Sequence, residues 1–463
     1  MKSWNTLFIR QGFAVREYSK NEYDLFNETE ENIEFLIECL QKAGVNFTRQ
    51  HFFLTIHSEP VTEKEWLTAA DFLHRGYGEG LWFDAEKEEP KIRELDLYIS
   101  GLIRQLNRLK LFTMGSCDGN GIRYASIQFR PDVSMDKAAK LFSIISDKKV
   151  RVRNQRLILP HSREELLELA EKALNIDGVI LELETEEIEK QLFFDQLEEL
   201  LNINGESGNE GKIRKHAERI LAPLVDHLAV DSKGNILAQK RYRGGYGPTI
   251  LLNAHLDTVV PIDPGRIILK EKNIWTSNSG ILGADDRAGV AILLQMAKNL
   301  EKSSFRGTVK FILTVEEEIG LVGAQHVDEY FLWDVDAAIV LDRRGTGDIV
   351  VSCGGYIPFC DERYGQFIEG TAVKAGLKKW KCTNGGSSDT RIWASHGIQS
   401  VNLSVGYFNE HISEEKLDVE SCYDTVKLVE AVFERARELR RISMGCTKER
   451  EMTMFKNRRR YLN

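Results

Sequence analysis

The feature that most constrains the fold is a set of short, uninterrupted apolar runs in the second half of the chain. Four of them are PTILLNA (248–254), GTVKFILTV (307–315), DAAIVLD (336–342) and IQSVNLSV (398–405). Each has the length and composition of a strand buried on both faces. Between the first two lies DDRAGVAILLQMAKNL (285–300), an amphipathic helix that begins with acidic residues. Strands alternating with helices predict an α/β fold with a mostly parallel mixed sheet flanked by helices.

Composition excludes several other classes of protein. The 463 residues are 42% hydrophobic and 29% charged, which is typical of a folded globular protein of two or three domains. The net charge of −9 argues against nucleic acid as the main partner. We expect no contact with a membrane, because no apolar run approaches the length of a span and no signal peptide is apparent. The 7 cysteines are scattered without a C-x-x-C pair, which predicts reduced thiols in a cytoplasmic protein.

The chain is expected to comprise two domains and a tail. Residues 1–185 mix helix-like and strand-like patterns, which predicts an α+β region of unknown role. No internal repeat is apparent in the chain. Within residues 1–185, Ser162 and Glu165 predict a capping box at the start of a helix. The acidic segment 177–190 leads into the predicted catalytic domain, residues 186–442, and residues 443–463 form a basic tail whose Arg458–Arg460 run we interpret as a solvated chain end.

One short segment of the N-terminal region has two interpretations. In Cys117–Gly121, Asp118 and Asn120 have the first two spacings of a calcium loop. The fifth position of such a loop would be Ile122, which has no oxygen to offer. Asn-Gly between two strand-like stretches is also a strong hairpin signal, and a turn is the interpretation we adopt.

Acidic residues and histidines follow the predicted strands of the catalytic domain. They are His255 and Asp257 after the first strand, Asp285 at the start of the helix, Glu316, Glu317 and Glu318 after the second strand, Asp342 after the third and His411 after the fourth. Ligand sites in open parallel sheets form at the carboxyl ends of the strands, so these side chains are expected at one edge. So many carboxylates repel one another unless cations lie among them.

Two divalent cations would supply that positive charge. If the ligands are His255, Asp285, Glu318, Asp342 and His411, their charge of about −3 against +4 leaves room for one hydroxide. Imidazole and carboxylate ligands without thiolate suit zinc, cobalt or manganese, and a shared water between two such ions becomes a nucleophile.

Two neighbouring groups are expected to support this chemistry. Asp257 lies two residues from His255 in an extended segment, so it points the same way and is expected to orient the imidazole. Of two adjacent glutamates at a strand end, one can bind metal while the other takes a proton from the water.

These segments also resemble a known family. GPTILLNAHLDTV, GILGADDRAGVAILL, ILTVEEEIGLVGA, IVLDRRGTGDIV, GGSSDTRIW and LSVGYFNEHISEE resemble the co-catalytic zinc exopeptidases of the peptidase T and bacterial leucyl aminopeptidase type, over about residues 190–440. The resemblance implies an aminopeptidase acting on short peptides. It also implies a bridging role for Asp285, followed by a cis peptide bond, with Glu317 as general base and Glu318 as ligand. An aspartate at position 342 resembles the aminopeptidase branch of the family.

The chain departs from the family in several places. Only 42 residues separate Asp342 from Gly385 and 27 separate Asp257 from Asp285, too few for the domains that many relatives insert there. The predicted catalytic domain is therefore compact and lacks a lid. LDRRG departs from the usual acid–glycine run after the aspartate. The N-terminal region matches nothing in the family, and we expect it to mediate homo-oligomerisation or to restrict access to the site.

Substrate contacts are expected from a loop rich in small residues. Gly386, Ser387 and Asp389 belong to GGSSD, whose backbone N–H groups are able to hold a substrate carbonyl or carboxylate, although the same segment also fits a turn that enters a capped helix. Arg391 is a candidate partner for a substrate carboxylate, and so are Arg343 and Arg344, which follow the third predicted strand.

Two other functions are compatible with the sequence. The same chemistry on another amide would make the protein a carboxypeptidase or a deacylase of N-acyl amino acids. Alternatively, the domain is an inactive scaffold and the N-terminal region is a binding module. Intact ligands and an intact base argue against a scaffold.

Overall fold

The computed structural model describes residues 2–72, 90–146, 148–176, 178, 181 and 185–446. The chain divides into two compact units, Met1–Glu189 and Lys190–Asn463. Residues 443–446 of the predicted tail are helical, whereas Arg458–Arg460 lie outside the described residues.

Unit 1 is an α+β structure with two separate sheets. Its helices are α1 (Trp4–Gln11), α2 (Glu30–Lys42), α3 (Glu63–Ala70), α4 (Ser100–Arg108), α5 (Met135–Ile145) and α6 (Arg163–Leu174). Its strands are β1 (Arg16–Ser19), β2 (Glu22–Asp24), β3 (Phe47–Gln50), β4 (Phe53–Ile56), β5 (Thr113–Cys117), β6 (Ala125–Phe129), β7 (Arg151–Arg153) and β8 (Arg156–Leu159). Both sheets are antiparallel, with orders β1-β2-β4-β3 and β5-β6-β8-β7.

The two halves of unit 1 repeat one architecture. Residues 4–70 and 100–174 each run helix, two strands, helix, two strands, helix, and the strand order within the sheet is the same. Each half has its own hydrophobic core, one from Trp4 to Ile92 and the other from Leu95 to Leu181. The expectation of no internal repeat is therefore wrong: the repeat lies in the backbone, while the side chains of the two halves have diverged.

Local signals in unit 1 form the structures that their chemistry favours. Ser162 caps α6, and its side chain and that of Glu165 form the reciprocal hydrogen bonds of a capping box. Asp118 accepts the backbone N–H of Asn120 at 2.8 Å in a tight turn, and Arg163 lies 2.9 Å from the Asp118 carboxylate. The turn interpretation of this segment is confirmed, since a guanidinium takes the place that a calcium ion would need.

Unit 2 is built on one large sheet. Its helices are α7 (Thr185–Leu201, which begins within the last residues of unit 1), α8 (Gly211–Leu221), α9 (Ala284–Lys302), α10 (Val322–Gln325), α11 (Glu329–Leu332), α12 (Glu362–Lys374), α13 (Asp389–Ser395) and α14 (Val419–Glu434). Its strands are β9 (His227–Val230), β10 (Ile236–Tyr242), β11 (Thr249–His255), β12 (Ile268–Glu271), β13 (Ile274–Ser277), β14 (Gly307–Thr314), β15 (Ala337–Arg343), β16 (Asp348–Cys353), β17 (Ile357–Pro358), β18 (Lys381–Gly385), β19 (Gln399–Ser404), β20 (Tyr407–Phe408) and β21 (Lys416–Asp418).

The predicted α/β fold is confirmed. The large sheet has the order β17-β16-β19-β15-β11-β14-β10-β9, and β18 also pairs with β16. Its centre, β14, β11, β15 and β19, is parallel, and these strands coincide with the four apolar runs. Antiparallel strands flank the centre, and β12, β13, β21 and β20 form a separate small sheet.

The core of unit 2 explains why the central runs are apolar throughout. Alternate residues of β11 face opposite sides of the sheet: Ile250 and Leu252 pack into the larger core with α9, and Leu251 packs into the smaller core with α13. Both faces are covered, so a continuous hydrophobic strand is required. The carboxyl ends of these strands lie at one edge, where the candidate site is found.

Candidate metal centre

The structure brings the five predicted metal ligands together. His255 is the last residue of β11, Asp342 lies near the end of β15, Glu318 follows β14, Asp285 opens α9 and His411 follows β20. The ligand atoms of His255, Asp285 and Glu318 lie within 4.8 Å of one another. Parallel strands ending at a common edge account for this convergence.

Asp285 occupies the centre of the cluster. Its Oδ1 lies 3.1 Å from His255 Nε2, and its Oδ2 lies 3.1 Å from His411 Nε2. Asp342 Oδ1 is 3.6 Å from His255 Nε2, while Glu318 Oε2 is 2.9 Å from His411 Nε2. The cluster therefore has two lobes, each with one imidazole and one carboxylate, and the two oxygens of Asp285 face one lobe each. The peptide bond from Asp285 to Asp286 is cis, as the family resemblance implied.

The electrostatics of the cluster favour bound cations. Burial, together with the neighbouring charges of Asp342, Asp389 and Asp285, raises the pKa of Glu317 to about 10. Burial and the charge of Asp285 raise the pKa of Glu318 to about 7, and its Oε1 is buried without a hydrogen-bond partner among the described residues. These carboxyl groups lack compensating positive charge, which divalent cations would provide.

The pKa values of the two histidines are raised as well, but by hydrogen bonds to carboxylates. Burial alone would lower the pKa of His255, but hydrogen bonds to Asp257, Asp285 and Asp342 raise it well above its usual range. The hydrogen bond to Asp285 raises the pKa of His411 to about 9. In the protein without metal, protons on these imidazoles partly compensate the acidic groups. A cation would displace them, because the metal-ligating imidazole is neutral.

Asp257 connects the end of strand β11 to the turn that contains Glu317 and Glu318. Its carboxylate accepts the backbone N–H groups of Glu317 at 3.0 Å and Glu318 at 3.1 Å, and the hydroxyl of Ser207 at 2.7 Å. Its backbone carbonyl lies 3.1 Å from His255 Nδ1, so Nδ1 is placed to donate there and Nε2 faces Asp285. The orienting role expected of Asp257 thus extends to the two glutamates.

The three consecutive glutamates have different surroundings. Glu316 pairs with Lys233 at 2.8 Å, on the far side from the cluster. Glu318 contacts His411, as described above. The side chain of Glu317 lines the cavity beside the cluster, and the described residues offer its carboxylate no hydrogen bond. Glu317 is half-buried, and a carboxylate without a hydrogen bond beside this cluster is able to accept a proton.

Three supporting residues were not predicted from the sequence. The Tyr407 hydroxyl donates to Asp342 Oδ1 at 3.0 Å, and Ser207 donates to Asp257. The buried carboxylate of Glu415 accepts the backbone N–H groups of Gly283 at 2.7 Å and Asp285 at 3.0 Å. Tyrosine, serine and glutamate at these positions follow no local pattern, and only the spacing of Glu415 four residues after His411 is a possible signal.

Asp286, next to the central ligand, has a structural position. Its carboxylate accepts the backbone N–H of His255 at 3.1 Å and that of Gly289 at 3.0 Å, and burial raises its pKa well above its usual range. It also lies within reach of His255 and Asp342. Because its oxygens already hold the strand end and the first turn of the helix, we treat it as a support of the cluster.

The predicted substrate residues divide into two groups. Gly386 and Ser387 line a cavity of about 190 Å³ that contains the cluster, together with Arg343 and Arg344. Asp389 differs from expectation: it is 1% exposed and accepts the hydroxyl of Thr314 at 2.5 Å, so it ties strand β14 to helix α13.

Of the three candidate arginines, Arg343 and Arg344 line the cavity and Arg391 does not. Arg391 is exposed and is not part of the cavity wall. Arg344 is in the wall, where it pairs with Glu410 at 2.8 Å and stays 58% exposed.

Two further observations bear on the sequence expectations. None of the 7 cysteines, all of which lie in the described part of the chain, forms a disulfide. None of the helices that the structure describes has the length and apolar composition of a membrane span.

The fold and the site together define a class: an α/β protein with a histidine–carboxylate cluster, able to hold metal, at the carboxyl edge of its sheet. Known proteins agree with that class. The sequence model of the family described as M42 glutamyl aminopeptidase matches residues 258–428, which lie within unit 2.

Individual proteins also resemble this chain. "Uncharacterized protein YqjE" of Bacillus subtilis is 25% identical over 369 aligned positions, covering 54% of this chain and 99% of that protein. "Peptidase T" of Clostridium botulinum is 32% identical over 143 residues, 30% of this chain and 33% of that one. The crystal structure of aminopeptidase PepT from Bacillus cereus aligns with 53% of this chain and 98% of its own, at 22% identity and a TM-score of 0.49. The sequence comparisons support the predicted relationship to aminopeptidases.

Proposed function

We propose that the protein is a two-metal aminopeptidase that hydrolyses short peptides. The observation that carries this proposal is the position of Asp285 between two imidazoles, with one further carboxylate beside each imidazole. This is the donor set of a pair of divalent cations bridged by one carboxylate. Unit 2 contains both this cluster and the residues that match the M42 glutamyl aminopeptidase model.

The ligands divide between two sites. His255 and Asp342 would hold one ion, His411 and Glu318 the other, and Asp285 both. Their oxygen and nitrogen donors, without thiolate, fit zinc best, with cobalt or manganese as alternatives. Ions bound there would lower the pKa of a shared water and polarise the scissile carbonyl.

Glu317 is the proposed general base. Its carboxylate is beside the cluster, without a hydrogen bond from another described residue, so it is free to accept a proton from the attacking water. Asp257 holds the Glu317 backbone N–H at 3.0 Å, which fixes the position of that side chain. Once protonated, Glu317 passes the proton to the leaving amine. Gly386 and Ser387 are placed to contact the peptide, since both line the cavity.

The test combines metal analysis with a peptide panel. Full-length protein purified without chelator and supplemented with zinc is expected to hold about two ions per chain by elemental mass spectrometry. It should then release the first residue of dipeptides and tripeptides, but not of the same peptides with acetylated N-termini. Hydrolysis of N-acyl amino acids instead would replace this proposal with a deacylase. Two bound ions without hydrolysis of either panel, or no ion at all, would leave the inactive scaffold.

Three further parts of the proposal are tested separately. We propose a cytoplasmic location, because none of the seven cysteines forms a disulfide, and a homo-oligomer in solution. Fractionation of cells that express the tagged chain tests the first, and light scattering of the purified protein tests the second. The proposed division of labour, with catalysis in residues 186–442 and an accessory role for residues 1–185, is tested by comparing full-length enzyme with and without a protease cut between the units.

A further inference from the structure

Unit 1 presents a sheet edge beside a large cavity. Strand β1 is the first strand of the order β1-β2-β4-β3, and all four of its residues are exposed. In the part of the chain that the structure describes, β1 pairs with one strand, β2, and no strand pairs with its other edge. Natural proteins usually protect such an edge, because it is a template for another strand.

The internal repeat shows that this exposure is specific to the first half. Strand β5 occupies the equivalent place in the order β5-β6-β8-β7, yet it has one buried residue and four half-buried residues. The same architecture is therefore compatible with a covered first strand. The exposure of β1 is therefore due to its own sequence and not to the architecture that the two halves share.

A groove runs along the open strand. All of β1 lines a cavity of about 800 Å³, whose other wall includes Arg104 and Arg108 from α4 and Leu174 from α6. This volume lies in the range of ligand-binding pockets. A groove that follows a strand edge over its full length has the shape that an extended peptide requires.

Exposed aromatic side chains extend the surface. Tyr18 of β1 is 52% exposed and lies 5.9 Å, between ring centroids, from Phe53, which is 45% exposed. Phe26 is 62% exposed and contacts both Phe53, at 5.7 Å, and Phe52, at 5.0 Å. Four aromatic rings grouped at the surface next to a free strand edge are typical of a recognition surface.

The charged side chains that line the groove indicate the sign of the charge that a bound segment should carry. Arg16 and Lys20, at the two ends of the strand, have no carboxylate within ion-pair distance among the described residues, whereas Glu17 is engaged locally by accepting the backbone N–H of Asn21 at 3.0 Å. Glu17 keeps its negative charge, but the groove is lined by four cationic side chains and this one acidic side chain, so its net charge is positive. An acidic segment complements it.

We propose that strand β1 and its groove bind an extended, acidic segment of another polypeptide by strand addition, with apolar side chains of that segment packed on Tyr18 and Phe53. Backbone hydrogen bonds would supply affinity, and the aromatic and basic side chains would supply specificity. This surface is independent of the metal cluster, and it gives unit 1 a function of its own.

The test uses a fluorescent decapeptide in which glutamate alternates with valine or phenylalanine, acetylated and amidated so that an exopeptidase leaves it intact. Fluorescence anisotropy with the full-length protein should show saturable binding. Arg16→Glu combined with Lys20→Glu should weaken binding at least about tenfold, and Tyr18→Ser by about fivefold. The matched controls are Arg151→Glu, on an exposed edge of the second sheet, and Tyr124→Ser, whose ring is 58% exposed elsewhere in unit 1. Both should stay within twofold of wild type.

Two modified probes identify the mode of binding. A decapeptide with N-methyl groups on alternate backbone nitrogens cannot pair with a strand edge and should bind at least about tenfold more weakly. One with lysine in place of glutamate should also lose affinity. Equal affinity for either modified peptide, or no binding of the parent, would overturn the proposal. So would concentration-dependent dimers that Tyr18→Ser abolishes, because a second copy of the chain would then be the occupant.

Discussion

The glutamate run Glu316–Glu318 allows a test in which one chemical change is made in three different environments. Each glutamate is replaced by glutamine, which keeps the size of the side chain and removes its negative charge. Glu316→Gln breaks a half-buried ion pair with Lys233 and should leave turnover unchanged, because Glu316 is neither a proposed ligand nor the proposed base. Glu318→Gln removes a proposed ligand beside His411 and should lower the metal content.

Glu317→Gln should separate turnover from metal binding. The described residues make no hydrogen bond to the Glu317 carboxylate, while its backbone N–H stays bonded to Asp257. The fold and the ligands therefore lose nothing, and only the proton acceptor disappears. General base catalysis contributes about 10²–10⁴-fold, so kcat should fall by that factor, or about 3–5 kcal/mol in activation free energy. KM should change little, because the carboxylate has no described role in holding the substrate.

The assay measures kcat and KM on one dipeptide for all three variants, with metal content determined on the same samples. The reasoning is refuted if Glu317→Gln keeps more than about a tenth of the wild-type kcat, since a base in this position cannot be so dispensable. It also fails if Glu317→Gln loses metal while Glu318→Gln keeps it. That result would make Glu317 the metal ligand and Glu318 the general base.

Three other outcomes are expected. Without metal, the thermal midpoint of unfolding should fall between pH 6 and pH 9, because His411, with a pKa raised to about 9, loses its proton in this range. Zinc-loaded protein should not show this fall. A flat profile of the metal-free protein by calorimetry would contradict the ion pairs of His411 with the carboxylates. Tyr407→Phe should weaken metal affinity about 10–100-fold in a chelator competition, since Asp342 loses its donor at 3.0 Å; unchanged affinity would remove the supporting role of Tyr407. Gly289→Ala should lower the free energy of unfolding in urea by roughly 2–4 kcal/mol, because the added methyl group would lie 1.9 Å from the Leu341 carbonyl oxygen. The control Gly370→Ala has open space around the added methyl group and should be neutral or stabilising.

The central strands and the ligands were predictable because each has a signal in the sequence. A parallel strand covered on both faces must be apolar along its whole length, and such runs are rare enough to be located individually. The strand ends then determine where the following residues lie. His255 and Asp342 were therefore predictable from position, before any resemblance was considered, and the small separation of the ligands in the structure follows from the sheet.

The supporting residues were not predictable, because they reach the site from distant parts of the chain. Ser207 precedes α8 and contacts Asp257 50 residues later, while Tyr407 contacts Asp342 across 65 residues. A single serine or tyrosine has no periodicity. What selects it is a hydrogen bond in the folded protein, and that contact depends on the exact path of two loops.

The repeat in unit 1 was missed for a different reason. Its halves share a backbone but few residues: Ile9-Arg10-Gln11 ends α1 and Ile103-Arg104-Gln105 lies in α4, and both final helices begin with a capping box. Elsewhere the two hairpins differ in chemistry, with one exposed phenylalanine, Phe53, in β4 and exposed arginines in β7. Cores tolerate such divergence as long as volume and pattern are kept, so a duplicated backbone outlasts the sequence similarity that would reveal it.

The electrostatics of the cluster connect its structure to its proposed chemistry. Without cations, burial keeps Glu317 protonated at neutral pH, since its pKa is raised to about 10, and a carboxylic acid cannot serve as a base. Under the proposed mechanism, two divalent charges nearby would reverse the sign of that environment and favour the carboxylate. The same charges would expel the protons from His255 and His411, so metal binding should release protons that a comparison of buffers with different ionisation enthalpies detects. The proposed ligands and the proposed base would then act as one electrostatic unit, because the cations that relieve the repulsion between the acidic groups would also convert Glu317 into a base.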